Sequence, residues 1–438
     1  MTAPALTRRA LFIRAVPIMG ANIATPLVGL ADLAVIGNTG DATAIAAVAL
    51  GTLVFNAFYW SLGFLRMGAT ALAAQADGGG APGETAAVLW RGLAVGAGLG
   101  FLLIILQVPL REAAFMAFSG TADVEAAGKA YVDARIWGAP AALAGFALYG
   151  WLIGLGLTGR ALALQIALNL ANIALSIWFV LGLDQGVAGV GAASALAQWI
   201  HLLAAIVLIA PVLLKRRSPN RAQVLDRAAL VRLFAVNRDI FLRTLALLAG
   251  FYWFNEASLR LGPEVLAGNA ILLQFISISA FFLDAFAHVA EAETGRAAGA
   301  RDWKALTRAF RLTSELAAAC ALALGAVFLL GGQLFVEAMT DDPAARAAAL
   351  DALIWCALVP VVGWPSWQLD GLMIGTTRGA LMRNAMLAAL LIYLALDFLL
   401  RPMLGVTGLW LAFLLYYVAR AGTLAVGWPA LKRDYAAP

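Results

Sequence analysis

The stretch Lys215-Arg-Arg-Ser-Pro-Asn-Arg-Ala-Gln-Val-Leu-Asp-Arg-Ala-Ala-Leu-Val-Arg232 divides a chain whose remainder is dominated by long apolar runs. It is the longest basic segment and lies near the middle of the 438 residues. A bilayer core of about 30 Å is crossed by about 20 apolar residues of helix. Six runs of that kind precede the basic segment, near 15–37, 44–75, 86–108, 128–156, 161–182 and 187–213. Six more follow it, near 237–261, 265–296, 308–333, 347–375, 380–400 and 406–430. The composition agrees: 63% of residues are hydrophobic and 13% charged, against about 45–50% and about 25% in soluble domains. Disorder and a soluble multidomain chain are excluded. The expected class is an all-α integral membrane protein of twelve spans. Its parts are a first lobe over 1–214, a connecting loop over 215–235 and a second lobe over 236–438.

The loops sort by charge. One side holds both termini with Arg8, Arg9, Arg160, Lys215, Arg216, Arg217, Arg221, Arg227, Arg296, Arg301, Lys304, Arg378, Lys432 and Arg433. The other has chiefly Arg111, Arg260, Arg346 and Arg401, among acids such as Glu112, Asp123, Asp184, Asp341 and Asp342. Lys and Arg near span ends stay cytoplasmic, so both termini are expected in the cytoplasm. Arg8, Arg9 and Arg14 precede the first run as in a signal peptide, but its length and the lack of a cleavage site favour a retained helix. The basic residues lie in short clusters between spans, a distribution that marks topology and not a nucleic-acid partner. Cys320 and Cys356 sit in apolar runs, which argues against a disulfide or a metal site.

The second half repeats the first at a register of 221 residues. Gly150-Trp-Leu-Ile-Gly154 falls on Gly371-Leu-Met-Ile-Gly375, and Ala174-Leu175-Ser176 on Ala395-Leu396-Asp397. Ala69, Ala71, Ala76 and Gly78 fall on Ala290, Ala292, Ala297 and Gly299. After a slip of two, Gly186-Val187-x-Gly189 meets Gly405-Val406-x-Gly408. An even number of spans per half makes the repeats parallel, a secondary-transporter architecture around a central cavity.

Intramembrane polar groups point to function by default. In the first span Asn22, Thr25, Gly29 and Asp32 share one helical face, with Pro26 between them. Burial favours the neutral form of a carboxyl, so Asp32 reads as a proton site or as an acid held in a structural network. The fifth span adds Gln165, Asn169, Asn172 and Ser176, and the sixth adds Ser194 and Gln198. These are coupling-site candidates or packing contacts between helices. In the second half, Glu256 and Asp397 are each followed by an arginine four residues on, Arg260 and Arg401. A cation site competes there with ordinary ion pairs. Asp284, His288 and Glu291 share a face of the eighth span. They read as a proton relay, a gate or a structural network with Arg243 or Arg66. No Walker A, Gly-x-Ser-x-Gly or metal-spaced Cys/His pattern is present, so the chain is not expected to be an enzyme.

Five stretches resemble the MATE (multidrug and toxic compound extrusion) transporters, in particular the DinF-like branch. They are Pro26-Leu-Val-Gly-Leu-Ala-Asp-Leu-Ala-Val-Ile-Gly37, Phe64-Leu-Arg-Met-Gly68, Asn237-Arg-Asp-Ile-Phe-Leu-Arg243, Leu283-Asp-Ala-Phe-Ala-His288 and Leu369-Asp-Gly-Leu-Met-Ile-Gly375. The resemblance implies export of small amphipathic or cationic molecules driven by H⁺ or Na⁺, with no other cofactor. It places the chain in the inner membrane, and a monomer is expected. It also implies that the fifth and sixth spans close around Asp32, with a second acid where this chain has Ser176. Asp370 is similar to the family's acid of the tenth span. With one acid in the first lobe, H⁺ is the expected ion and Na⁺ the alternative through Glu256 and Asp397. A lipid flippase of the same superfamily, and a membrane-embedded enzyme using Asp284, His288 and Glu291, are the competing readings.

Overall fold

The structure is a computed structural model that describes residues 6–116, 121–214, 219 and 221–436. Among the described residues every regular element is helical. The first half contains α1 (Arg8–Gly37), α2 (Ala42–Ser61), α3 (Phe64–Gly78), α4 (Pro82–Ile105), α5 (Gln107–Phe115), α6 (Ala122–Arg135), α7 (Ala139–Gly154), α8 (Thr158–Ile177) and α9 (Gly186–Leu214). The short α10 (Arg221–Val224) lies in the basic segment. The second half contains α11 (Arg227–Leu259), α12 (Pro263–Gly299), α13 (Trp303–Met339), α14 (Pro343–Gly375), α15 (Gly379–Leu404), α16 (Val406–Ala425) and α17 (Trp428–Ala436). Eleven single helices or contiguous pairs are long and apolar enough to cross a membrane. The twelfth span is α11, 33 residues long, which carries Arg232, Arg238, Asp239 and Arg243 within its length.

The repeat is exact at helix boundaries. Ala42–Gly78 (α2 with α3) corresponds to α12, and Ala122–Gly154 (α6 with α7) to α14, each at a shift of 221. What the sequence runs did not reveal is that the first half interrupts both helices. The first break falls at Leu62-Gly63, and the second is a tight turn over Ile136–Gly138 ahead of Pro140. The second half keeps both helices continuous.

Helix ends repeat as well. α3 closes with Ala81 N–H donating to the Ala76 carbonyl at 3.0 Å, and α12 with Asp302 N–H to Ala297 at 3.0 Å. α7 closes with Leu157 N–H to Leu152, and α14 with Arg378 N–H to Met373, both at 2.8 Å. This closure needs a residue in the left-handed region. Gly80 (φ 68°) and Gly156 (φ 72°) fill it in the first half, whereas Arg301 (φ 54°) and Thr377 (φ 55°) fill it in the second.

Close backbone approach explains the Gly-x-x-x-Gly pair of each half. A Cβ on Gly150 would lie 2.1 Å from the Arg66 carbonyl oxygen, and one on Gly371 2.4 Å from that of Ala287. Arg66 and Ala287 are themselves 221 apart.

The chain forms two compact units, Gly20–Leu233 and Phe234–Pro438 together with Met1–Met19. In this division the start of α1 groups with the residues from Phe234 onward. Charge and ring contacts account for this: Arg14 pairs with Glu293, Arg8 Nη2 lies 2.7 Å from Glu315, and Phe12 packs on Phe286 at 6.4 Å. The remainder of α1 belongs to the first unit. In that unit Arg91, 4% exposed, anchors α10 by donating to the carbonyls of Gln223 (2.6 Å) and Val224 (3.1 Å) while pairing with Glu84. Lys215, Arg216 and Arg217 lie outside the described residues. On α5, Lys129 and Arg111 beside Glu112 hold its carboxyl below the usual carboxylate range.

Candidate functional site

Asp32 on α1 is fully buried. Its Oδ1 accepts a hydrogen bond from Ser176 Oγ on α8 at 3.0 Å, and its Oδ2 one from Ser194 Oγ on α9 at 3.1 Å. Ser194 Oγ accepts in turn from Asn172 Nδ2 at 2.9 Å. One turn away, Asn169 Nδ2 donates to the Ala24 carbonyl of α1 at 2.6 Å, with Gln165 Nε2 on Asn169 Oδ1 at 3.1 Å. Ala24 lies two residues before Pro26, whose ring nitrogen cannot donate within the helix. The three- and four-residue spacing on α8 is what points Asn169, Asn172 and Ser176 at one neighbour. Asp32, Asn172, Ser176 and Ser194 thus form a single hydrogen-bonded cluster, whereas Asn169 bonds the α1 backbone and Gln165 and is not among the partners found for that cluster. Asn172 Oδ1 is buried there with no hydrogen-bond partner among the described residues.

Three contributors have no counterpart in the sequence reading. Arg135 on α6 donates to the Tyr131 hydroxyl, and its guanidinium lies 4.8 Å from the Phe55 ring centre. Its charge acts on Asp32 through space. The Tyr131 hydroxyl also meets Thr52 Oγ1 on α2 at 3.2 Å. Gly51 makes room for that ring, since a Cβ would come within 2.3 Å of it. Tyr131 and Arg135 stand four residues apart on α6, a spacing that could have paired them, but nothing in the sequence links that pair or Thr52 to Asp32. Gly51 beside Thr52 and the Tyr131–Arg135 spacing were the available signals.

In the second unit the polarity is exchanged. The repeat mates of Asp32 and Ser176 are Trp253 and Asp397. Trp253 Nε1 donates to Asp397 Oδ2 at 2.9 Å, so the contact survives with the carboxylate on the other helix. Asp397 is fully buried and pairs with Arg401 Nε at 3.1 Å. The mate of Asn172 is Tyr393, whose buried hydroxyl has no hydrogen-bond partner among the described residues. After the slip of two, Ser194 corresponds to Phe413, which packs on Phe254 at 4.6 Å. Aromatic rings occupy the region that holds amides and hydroxyls in the first unit. Glu256 pairs with Arg260 at 3.2 Å, 35% exposed. It is not among the hydrogen-bond partners found for Asp397.

Asp370 on α14 belongs to a separate buried network. Its Oδ2 accepts from Arg243 on α11 and from Arg420 on α16, the latter at 3.0 Å. All three side chains are at most 8% exposed. Arg420, absent from the sequence reading, lies 5.1 Å from the Tyr417 ring centre, and Tyr417 stacks on Trp367 at 5.1 Å. Asp284, His288 and Glu291 lie on α12, with Glu291 1% exposed and the charge of Asp284 acting on Tyr417. None of the three is among the hydrogen-bond partners found for Asp370.

Eleven apolar spans among the described residues and the more polar α11, arranged in two parallel repeats with a buried polar cluster inside one of them, have the architecture of a membrane transporter. The MatE family profile matches residues 17–178 and 244–399, once in each half, and the two matches end 221 residues apart. The chain belongs to the MatE family, whose members are transporters and not enzymes. It is 35% identical over 421 residues to DNA damage-inducible protein F of Escherichia coli K12, covering 96% of this chain and 92% of that one. It is 30% identical over 281 residues to multidrug resistance protein MdtK of Edwardsiella ictaluri, covering 62% of this chain and 60% of its relative. A multidrug resistance MATE family transporter of the MOP superfamily, solved outward-facing, shares the fold with a TM-score of 0.87. Its identity is 18%, with 98% of this chain and 96% of that chain covered.

Proposed function

We propose that this protein is a proton-coupled exporter of small amphipathic or cationic organic compounds. It works by alternating access in the inner membrane, with both termini cytoplasmic. The substrate class is supported by the relatives named as multidrug resistance proteins, and the orientation by the distribution of Lys and Arg.

The observation that carries the coupling is the partner set of Asp32. Among the described residues, its oxygens accept from neutral side chains, Ser176 and Ser194. Asp397 and Asp370, by contrast, are bonded directly by arginines. Protonating a carboxylate that is ion-paired in a buried site strands its cation, at a cost of several kcal/mol. Protonating Asp32 strands no directly bonded cation, and the two hydroxyls can rotate to suit either form. A single carboxylate with hydroxyl neighbours suits a proton better than Na⁺, which favours several oxygen ligands with fixed negative charge.

The test is counterflow in proteoliposomes. Purified protein should accumulate a fluorescent organic cation against its gradient when the unlabelled compound is loaded inside. Absence of counterflow together with movement of labelled lipid between leaflets would make the protein a flippase and overturn the proposal.

A further inference from the structure

The start of α1 and the start of α13 line an open cavity of about 740 Å³ in the second unit. Its wall includes five basic side chains, Arg8, Arg9, Lys304, Arg308 and Arg311. Their charge is only partly answered. Glu315 takes Arg8 at 2.7 Å and stands 3.8 Å from Arg311, and Arg308 donates to the Leu6 carbonyl at 2.9 Å. Among the described residues, Arg9 and Lys304 make no ion pair. The N-terminus of α1 opens on the same space, with Thr7 in the lining and capping the helix through Ala10 N–H. Helix N-termini add positive potential to that of the side chains.

The cavity's position identifies the source of the anion. Lys304, Arg308 and Arg311 stand on the first turns of a membrane-spanning helix. Trp303 and Phe310 of the same turns pack on Trp428, each at 5.7 Å, a clustering of aromatic rings suited to the membrane–water interface. Leu6 and Leu312 complete the lining. One turn further along α1, Phe12 and Ile13 are 48% and 57% exposed. Phosphate-sized negative charge fits the basic wall, and acyl chains fit the apolar surface next to it.

We infer that this cavity is a binding site for the phosphate headgroup of an anionic phospholipid, held as a resident lipid and not as cargo. Basic pockets at the cytoplasmic ends of spans bind such headgroups. The leaflet follows from the proposed orientation, whereas binding itself is measured without any transport.

Native mass spectrometry of the full chain in detergent tests this with phosphatidylglycerol as probe and phosphatidylcholine as reference. Phosphatidylglycerol should bind at least about tenfold more tightly. The triple variant Arg9→Gln, Lys304→Gln, Arg311→Gln should bring it down to the phosphatidylcholine level. That variant leaves the Arg8–Glu315 and Arg308–Leu6 contacts in place, and an unchanged melting temperature in lipid-free detergent verifies its fold. Lys304→Gln alone should weaken binding several-fold and serves if the triple variant unfolds. Arg221→Gln with Arg227→Gln, basic residues of the first unit that are not among those lining the cavity, should leave binding unchanged. Equal binding of the two lipids, or full phosphatidylglycerol binding by the triple variant, overturns the site. Inorganic phosphate that binds with the same dependence on Arg9, Lys304 and Arg311, and displaces the lipid at millimolar concentration, overturns the lipid as its occupant.

Discussion

Replacing Asp370 with asparagine removes the carboxylate that accepts from both Arg243 and Arg420 and leaves two buried guanidinium groups facing an amide. Breaking a buried pair from one side costs about 3–5 kcal/mol. Glu256→Gln breaks only a half-exposed helical pair with Arg260, which is worth about 0–1 kcal/mol. Thermal unfolding of the two variants in detergent should therefore show a large loss for Asp370→Asn and almost none for Glu256→Gln. The reverse order would contradict the roles assigned to these acids. The same contrast explains what the sequence made legible at this scale. Asp32, Asn169, Asn172 and Ser176 repeat at helical spacing within apolar runs, so their shared faces could be read directly. Arg420 and Arg135 were not read as site residues, because a basic residue within a span does not show in the sequence which acid or rings the fold places beside it. Only the folded chain places Arg420 among the rings of Trp367, Tyr416 and Tyr417.

At the level of helices, the repeat carries a built-in comparison. The left-handed closing position after α7 is Gly156, and its mate after α14 is Thr377. A β-branched residue there carries a conformational cost of about 1–2 kcal/mol that glycine does not. Part of the gain on substitution is offset by the freer unfolded chain. Thr377→Gly should therefore raise stability by up to about 1 kcal/mol, whereas Gly156→Ala should lower it by about 1 kcal/mol or more. Paired melting curves check both, and destabilisation by Thr377→Gly would mean that its side chain contributes more than the strain costs. Helix positions were legible because apolar runs and glycine-rich ends recur at one register. The breaks at Leu62-Gly63 and Ile136–Gly138 were not, because apolar hydropathy continues across them. The exchange of Asp32 and Ser176 for Trp253 and Asp397 was hidden for another reason. A matching register aligns positions but does not tell which of two contacting helices carries the acid.

For the whole molecule, the charge asymmetry of the loops makes a direct prediction about sidedness. With Cys320 and Cys356 first replaced by alanine, Ala300→Cys should label with a membrane-impermeant maleimide only from the cytoplasmic side. Asp341→Cys, fully exposed between α13 and α14, should label only from outside. The opposite pattern would invert the topology. The two-unit organisation also gives α1 a distinctive place. Its first residues group with the second half, while Asp32 on the same helix is bonded within the first.

The most direct measurement is substrate transport in Na⁺-free proteoliposomes under an imposed pH gradient, with native protein and Asp32→Asn side by side. The native protein should move a fluorescent organic cation in proportion to the gradient and stop when a protonophore collapses it. Asp32→Asn should bind the substrate and melt near the native temperature, since an amide mimics the protonated acid, yet show no gradient-driven transport. Full pH-driven transport by Asp32→Asn, or transport that requires Na⁺ and loses that requirement in Glu256→Gln, would contradict proton coupling at Asp32.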